Sequence, residues 1–317
     1  MTERVLDDLT IVPLTEENLN AVHAMCERNV LYHDFSLEEF RRATLIDEGL
    51  TPELNMVAIN KDENPIAFFF AVFRKSRALR FRYKVVLKMF VVDSTRRFQG
   101  IGTMMMIELL NRAKKHEKAC WRMKVSVLDS NPRFWLPGLD PRHTEAYFFL
   151  KKMGFKRYKI PPTRVNLVIR KEDLPIDEPA KKKDGYIFSR ASYEEKEETV
   201  AFVKKHFRLG TWAEEALMSF ENDPPTTFIA RDMNNEIVGF ATHSAQFQGG
   251  FGPTGVAKKS RGKGLGGLLL KWCLWDIKQM GLKKCIIMWV EERNFYFYLK
   301  AANARIHHIY WPMKKII

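Results

Sequence analysis

Two glycine-rich hexads carry the chemistry that is easiest to read from this chain, Arg97-Phe98-Gln99-Gly100-Ile101-Gly102 and Arg261-Gly262-Lys263-Gly264-Leu265-Gly266. Each follows an apolar, β-prone run (Val85 to Val92; Gly252 to Ala257) and opens a helical stretch. A helix start leaves backbone N–H groups unpaired at the positive end of the helix dipole. Glycine permits positive φ and lets the main chain approach a bulky anion. The combination predicts an amide cradle for a pyrophosphate. Its members are Arg97, Gln99, Gly100, Gly102 and Thr103 in the first copy, and Arg261, Gly262, Lys263, Gly264, Gly266 and Gly267 in the second. Many strand-to-helix turns use glycine for geometry alone, so the weight lies in the repetition within one setting.

The elements that must position these loops also occur twice. In the first half, Leu9 to Leu14 reads as a strand, with Thr15 as N-cap of a helix and Ser36/Glu39 at capping-box spacing before another. Asn55 to Asn60 and Pro65 to Phe73 read as paired strands. Ile101, Met105 and Leu109 form a helical stripe behind the first loop. Arg122 to Leu128 is the next strand, and Thr144 to Met153 a helix ended by Gly154. The second half repeats the order. Tyr186 to Ser189 is a strand, helices lie between Glu194 and Phe220, and Phe228–Ala230 and Ile237–Thr242 are strands. Leu265, Leu268, Leu269, Trp272 and Cys273 then mark the helix behind the second loop, and Lys284 to Val290 the following strand. The charged, proline-bearing stretch Lys171 to Gly185 reads as a linker. The predicted organisation is therefore an α/β chain of two domains, residues 1–170 and 186–317, joined by 171–185.

With 317 residues, 46% hydrophobic and 12% aromatic, the chain has material for two cores and is not of disordered type. No apolar run reaches the roughly 18 residues of a membrane span, and the first residues carry no signal-peptide pattern. A cytoplasmic protein with no membrane partner is expected. Cys26, Cys120, Cys273 and Cys285 are scattered, which predicts buried, reduced thiols rather than a metal site. His307-His308 has no Cys or acidic partner at metal spacing, and no metal is expected. The net charge of +14 suits an anionic ligand or a solvated lysine-rich surface. No nucleic-acid-binding signature accompanies it, so no nucleic-acid partner is expected.

The Arg-x-x-Gly-x-Gly pattern between strand and helix resembles the acyl-CoA pyrophosphate loop of the GNAT N-acetyltransferases. Three further stretches narrow the resemblance. Phe134-Trp135-Leu136-Pro137-Gly138-Leu139-Asp140, followed by a helix to Gly154-Phe155, is similar to the FWPG-D … GF segment of bacterial tandem GNATs. Phe251-Gly252-Pro253-Thr254-Gly255-Val256 resembles their FGPxGV strand, and Phe297-Tyr298-Leu299-Lys300-Ala301 their FYEKA segment. The resemblance covers about 300 residues and is strongest to glucosamine and glucosaminide N-acetyltransferases, with mycothiol synthase a more distant tandem cousin. It implies two GNAT domains, each a mixed, mostly antiparallel sheet flanked by helices, and acetyl-CoA as cosubstrate. It further implies a small-molecule amine acceptor, an amino sugar first, in a monomer or homodimer. Peptide or aminoglycoside acetylation, aminoacyl transfer of the peptidoglycan-bridge type, and CoA binding without catalysis are the alternatives.

Acetyl transfer to an amine needs a free-base nucleophile, a stabilised oxyanion and a proton for the departing thiolate. The resemblance assigns the proton donor to Tyr298 and the oxyanion contact to the backbone N–H of Val256. The matching position for Tyr298 in the first half is Leu150, which points to the C-terminal domain as the catalytic one. His243, on the strand before the second loop, and Glu291 and Glu292, after the next strand, are the candidate bases. Phe134 and Trp135 are candidates to stack on a sugar face, or else to fill a core. The chain departs from the FYEKA pattern at Leu299 and Ala302, which leaves fine substrate specificity open.

Overall fold

The computed structural model describes residues 8–76, 82–128, 133, 136–207 and 211–317. From the N-terminus come β1 (Thr10–Val12), α1 (Leu19–Asn29), α2 (Leu37–Ala43), β2 (Leu50–Ile59), β3 (Pro65–Lys75) and β4 (Tyr83–Val92). There follow α3 (Ile101–Lys115), β5 (Lys124–Val127), α4 (Thr144–Lys152), β6 (Lys156–Arg157), β7 (Arg164–Arg170), β8 (Lys182–Lys183) and β9 (Tyr186–Arg190). Next are α5 (Lys196–His206), α6 (Trp212–Met218), β10 (Thr227–Arg231), β11 (Ile237–His243) and β12 (Gly250–Val256). The chain closes with α7 (Leu265–Gln279), β13 (Lys284–Val290), α8 (Phe295–Ala302), β14 (Arg305–Tyr310) and β15 (Met313–Ile316).

Runs such as Ile66 to Phe73 are apolar at every position and buried throughout, which requires cover on both faces of the sheet. Helices supply it. In the first sheet, α3 and α4 pack one face through Met105, Leu109 and Leu150, while α1 and α2 pack the other through Val22, Met25 and Phe40. In the second, α7 covers one face through Leu269, Leu270 and Cys273, and α5 with α6 covers the other through Phe202, Val203 and Ala216. The Ser36–Glu39 capping box forms as expected. Thr15 is not a cap: α1 starts later, and Asn18 instead takes the Thr15 N–H. Gly154 adopts φ +83 just past the end of α4, where a side chain would be strained.

The strand orders are β1-β2-β3-β4-β5-β15-β6 and β14-β7-β13-β12-β11-β10-β9-β8. The strands β4 and β5 of the first sheet run parallel, as do β12 and β13 of the second. The compact units are Met1–Thr163 with Tyr310–Ile317, and Arg164–Ile309. These bounds differ from the expected 1–170 and 186–317. Arg164–Arg170 pairs with β13 in the second sheet, and Met313–Ile316 lies between β5 and β6 in the first. Val165, Leu167 and Ile169 are buried there, so the strand read as the end of the first domain belongs to the core of the second. The expected linker 171–185 also contains structure, because Asp184 (φ 49) and Gly185 (φ 79) turn a hairpin between β8 and β9. Both φ values are positive, the backbone of a tight two-residue hairpin turn.

The four cysteines are free thiols; Cys26, Cys273 and Cys285 are buried as expected, but Cys120 is exposed. Among the described residues no helix is long and apolar enough to cross a membrane.

Met313 is 1% exposed and joins the core of the first unit. Met313→Ala is expected to destabilise that unit by about 2–4 kcal/mol. Hydrogen exchange should then quicken in β5 and β6 while β10 and β11 keep their protection; the reverse pattern would contradict the placement of β15.

Candidate active site

The two parallel pairs part company partway along. β12 and β13 share only Gly250↔Ile286 and Phe251↔Ile287, after which β12 runs on to Val256 paired with β11 alone. A register shift between Ala241 and His243 marks a bulge at Gly252-Pro253, where the separation begins. Ala257 N–H donates to Val238 O at 2.8 Å. Alternation along the strand then turns the N–H groups of Thr254 and Val256 away from β11, into the wedge. In the first unit β4 and β5 separate in the same way beyond Leu87↔Val127.

Both glycine loops close the wide end of a wedge. Gly264 (φ 74) and Gly100 (φ 89) are left-handed N-caps of α7 and α3. Neither helix has a side-chain cap or an acidic residue in its first turn, so the leading amides are open to a ligand. Arg261 Nε donates to Val256 O at 3.0 Å, and Arg97 Nε to Val92 O at 3.2 Å, pinning each loop to the strand before it. The copies differ in detail. Among the described residues nothing lies within 4 Å of a Cβ added at Gly262 or Gly267. The first copy has Phe98 at φ 62 opposite Gly262 and Thr103 opposite Gly267; Gln99 there is tied to Arg96 at 3.0 Å.

Tyr298 is half-buried on α8, with its ring edge-on to Phe251 at 6.2 Å. Phe251 is the last paired residue before the strands separate, so the phenol lies at the apex of the wedge. Burial, with a smaller push from Cys285, raises its pKa and keeps it protonated at neutral pH. A Cβ at Gly266 would meet Phe297 at 3.7 Å, and one at Gly102 would meet Phe149 at 3.5 Å. Phe149 and Phe297 therefore correspond, and Leu150, wholly buried, stands where Tyr298 does.

His243 does not belong to this group. Its side chain is fully buried, Nε2 lies 2.9 Å from Asp276 Oδ2 and Nδ1 3.0 Å from Ser244 Oγ. Asp276 is in turn bonded by Arg190. Burial lowers the His243 pKa despite the opposing pull of Asp276, so the ring is a neutral, doubly bonded strut between β11 and α7. Glu291 and Glu292 are exposed beyond β13, Glu291 paired with Arg293 at 2.6 Å. Phe134 and Trp135 lie outside the described residues. Lys183 was missed by the sequence reading. Its Nζ is 3.4 Å from Lys263 O and 2.8 Å from where a Cβ on Gly264 would stand. The Asp184-Gly185 pair was the available signal, since it is a strong hairpin former inside an otherwise linker-like stretch.

Residues 187–298 match the profile of the "Acetyltransferase (GNAT) family". This segment is a GNAT acetyltransferase domain. Among curated protein sequences none matches the chain. Solved structures extend the GNAT fold over almost all of it. A "GCN5-related glucosamine N-acetyltransferase region" of a fungal multi-domain GH3 β-N-acetylglucosaminidase aligns with 97% of this chain at TM-score 0.74 and 17% identity. The alignment spans 38% of that longer protein. A "tandem GNAT protein from the clavulanic acid biosynthesis pathway" aligns over 97% of this chain and 98% of its own at TM-score 0.68 and 16% identity. The Saccharomyces cerevisiae N-myristoyltransferase, solved with myristoyl-CoA, aligns over 98% and 79% at TM-score 0.61 and 9% identity. At these identities the likeness is one of fold, and the fold is tandem GNAT.

His243→Gln separates strut from base. The neutral ring is favoured on folding, so the wild-type unit should lose stability as pH falls below about 6.5, where the unfolded histidine takes up a proton that the folded one resists. The variant is expected to lose that slope and to keep turnover within about threefold, whereas removal of a general base would cost at least about 100-fold.

Proposed function

We propose that this chain is an acetyl-CoA-dependent N-acetyltransferase that acylates the primary amine of a small molecule, an amino sugar such as glucosamine or a glucosaminide, in its C-terminal unit. The observation that carries the reading is the single wedge that has an uncapped glycine loop at one end and a protonated phenol at the other. The loop amides take the pyrophosphate, and the pantetheine arm enters between β12 and β13. The unpaired N–H of Val256 is the donor offered to the thioester end of the arm. The acceptor amine attacks the thioester carbon, the C–S bond breaks as the tetrahedral intermediate collapses, and Tyr298 gives its proton to the departing thiolate.

The amine must lose a proton before attack, since an alkyl ammonium with a pKa near 10.4 is almost fully protonated at neutral pH. With His243 sealed in the core, Glu291 and Glu292 remain as bases, acting directly or through water. Leu150 cannot donate a proton, which favours the C-terminal unit for chemistry and leaves the first wedge to bind or to support. An amino-sugar acceptor is favoured by the FWLPGLD, FGPTGV and FYLKA segments together and by the fungal glucosamine N-acetyltransferase region among the fold neighbours.

Thiol release from acetyl-CoA, measured across glucosamine, glucosamine 6-phosphate, chitobiose-type disaccharides, aminoglycosides, polyamines and lysine peptides, tests the proposal. Strong release with a sugar amine is expected; release only with peptides or polyamines would overturn the acceptor class. Tyr298→Phe should lower kcat by about 10- to 100-fold with acetyl-CoA affinity unchanged. Equal kcat in the variant would remove the phenol from the mechanism.

A further inference from the structure

The β8–β9 hairpin, the β10–β11 turn and the second glycine loop all lie at one end of the second sheet, as its antiparallel order from β8 to β12 requires. Between them is a cavity of about 460 Å³, lined by Asp184, Gly185 and Tyr186 of the hairpin, by Asp232 and Met233 of the turn, and by Lys263 of the loop. A Cβ on Gly185 would come within 3.3 Å of Met233, so the two turns are in contact. Lys263 Nζ bonds to Tyr186 Oη at 2.6 Å, and Lys183 Nζ stands at the N-cap of α7. Among the described residues neither ammonium has a carboxylate partner.

Two cations beside the positive end of a helix, with no acidic residue in its first turn, repel one another and the dipole unless an anion joins them. The cavity beside them has a different character. Its aromatic ring and thioether offer apolar contact to a flat heterocycle, and its two carboxylates accept hydrogen bonds from amino or hydroxyl groups. Phosphate on the lysine side and a base with its ribose in the pocket would satisfy both. The volume falls within the range of about 300–1,000 Å³ usual for small-ligand pockets.

From this geometry we infer that the hairpin end of the second sheet binds the adenosine 3′-phosphate end of the cosubstrate, with Lys183 and Lys263 on its phosphates and the base in the cavity bounded by Tyr186 and Met233. The inference rests on the acyl-CoA reading above and adds to it a subsite built by a segment that precedes the family match. The hairpin then has a task beyond edging the sheet, because it carries Lys183 to the loop.

Calorimetry with acetyl-CoA, acetyl-pantetheine and adenosine 3′,5′-bisphosphate tests it on the full chain. Lys183 is exposed, so Lys183→Met leaves the core untouched. The variant is expected to weaken acetyl-CoA and the bisphosphate by about tenfold, one charge-assisted contact, with acetyl-pantetheine unchanged. Lys183→Glu should weaken the first two further. Wild-type affinity for acetyl-CoA in both variants, or an equal loss with acetyl-pantetheine, would overturn the subsite while leaving the acyl-CoA reading standing. A wild-type chain that binds none of the three would overturn both.

Discussion

The separation of β12 from β13 after Phe251 is the constraint around which the second unit is arranged. A strand inside a sheet normally satisfies both edges, and buried main-chain groups left without partners are costly. Here the bulge at Gly252-Pro253 turns the strand, and the N–H groups of Thr254 and Val256 are left facing a wedge rather than a neighbour. The surrounding elements hold that gap open. The Arg261–Val256 contact fixes the loop at the mouth, α7 covers one face, and Tyr298 on α8 packs against Phe251 where the gap begins. On the acyl-CoA reading, the amide-bearing arm of the cosubstrate supplies the missing strand edge.

The same construction in the first unit is built with different side chains. β4 leaves β5 beyond Leu87, and Lys88 at the bulge is buried, its ammonium on Ala43 O and Asp47. Burial lowers its pKa to about 8. Phe98 occupies a left-handed conformation that a non-glycine residue adopts at a cost of roughly 1–2 kcal/mol, whereas the second loop has Gly262 there. With Leu150 in the phenol's place, the first unit keeps the wedge and lacks the phenol that the proposed mechanism uses as acid. Each sheet also holds, one place in from an edge, a strand from a distant part of the sequence, β15 in one and β7 in the other, and the first unit is completed by the last eight residues of the chain.

Much of this was legible before any coordinates. The glycine loops were readable because their residue types answer to local backbone geometry, and the helices behind them because their apolar period is long and clean. The Leu150–Tyr298 correspondence followed from counting along similar helices. What was not legible depended on distance in sequence. Nothing in Arg164–Arg170 says which sheet it joins, since an apolar strand with two buried faces fits either. His243 has the residue type of a base, but its burial against Asp276 and Arg190 comes from α7 and β9, 33 and 53 positions away. Lys183 was hidden because composition made its neighbourhood a linker, and the charge run outweighed the Asp-Gly turn signal beside it.

Titration of acetyl-CoA into Gly267→Glu protein would test the wedge and its loop most directly. Position 267 is in the first turn of α7, and among the described residues nothing lies within 4 Å of an added Cβ, so a side chain can start there without displacing a neighbour. A carboxylate at a helix N-terminus adds about 0.3–1 kcal/mol of stability, yet it places negative charge over the amides assigned to the pyrophosphate. The account predicts a chain at least as stable as wild type whose affinity for acetyl-CoA is at least tenfold weaker. A variant that binds acetyl-CoA as tightly as wild type would contradict it.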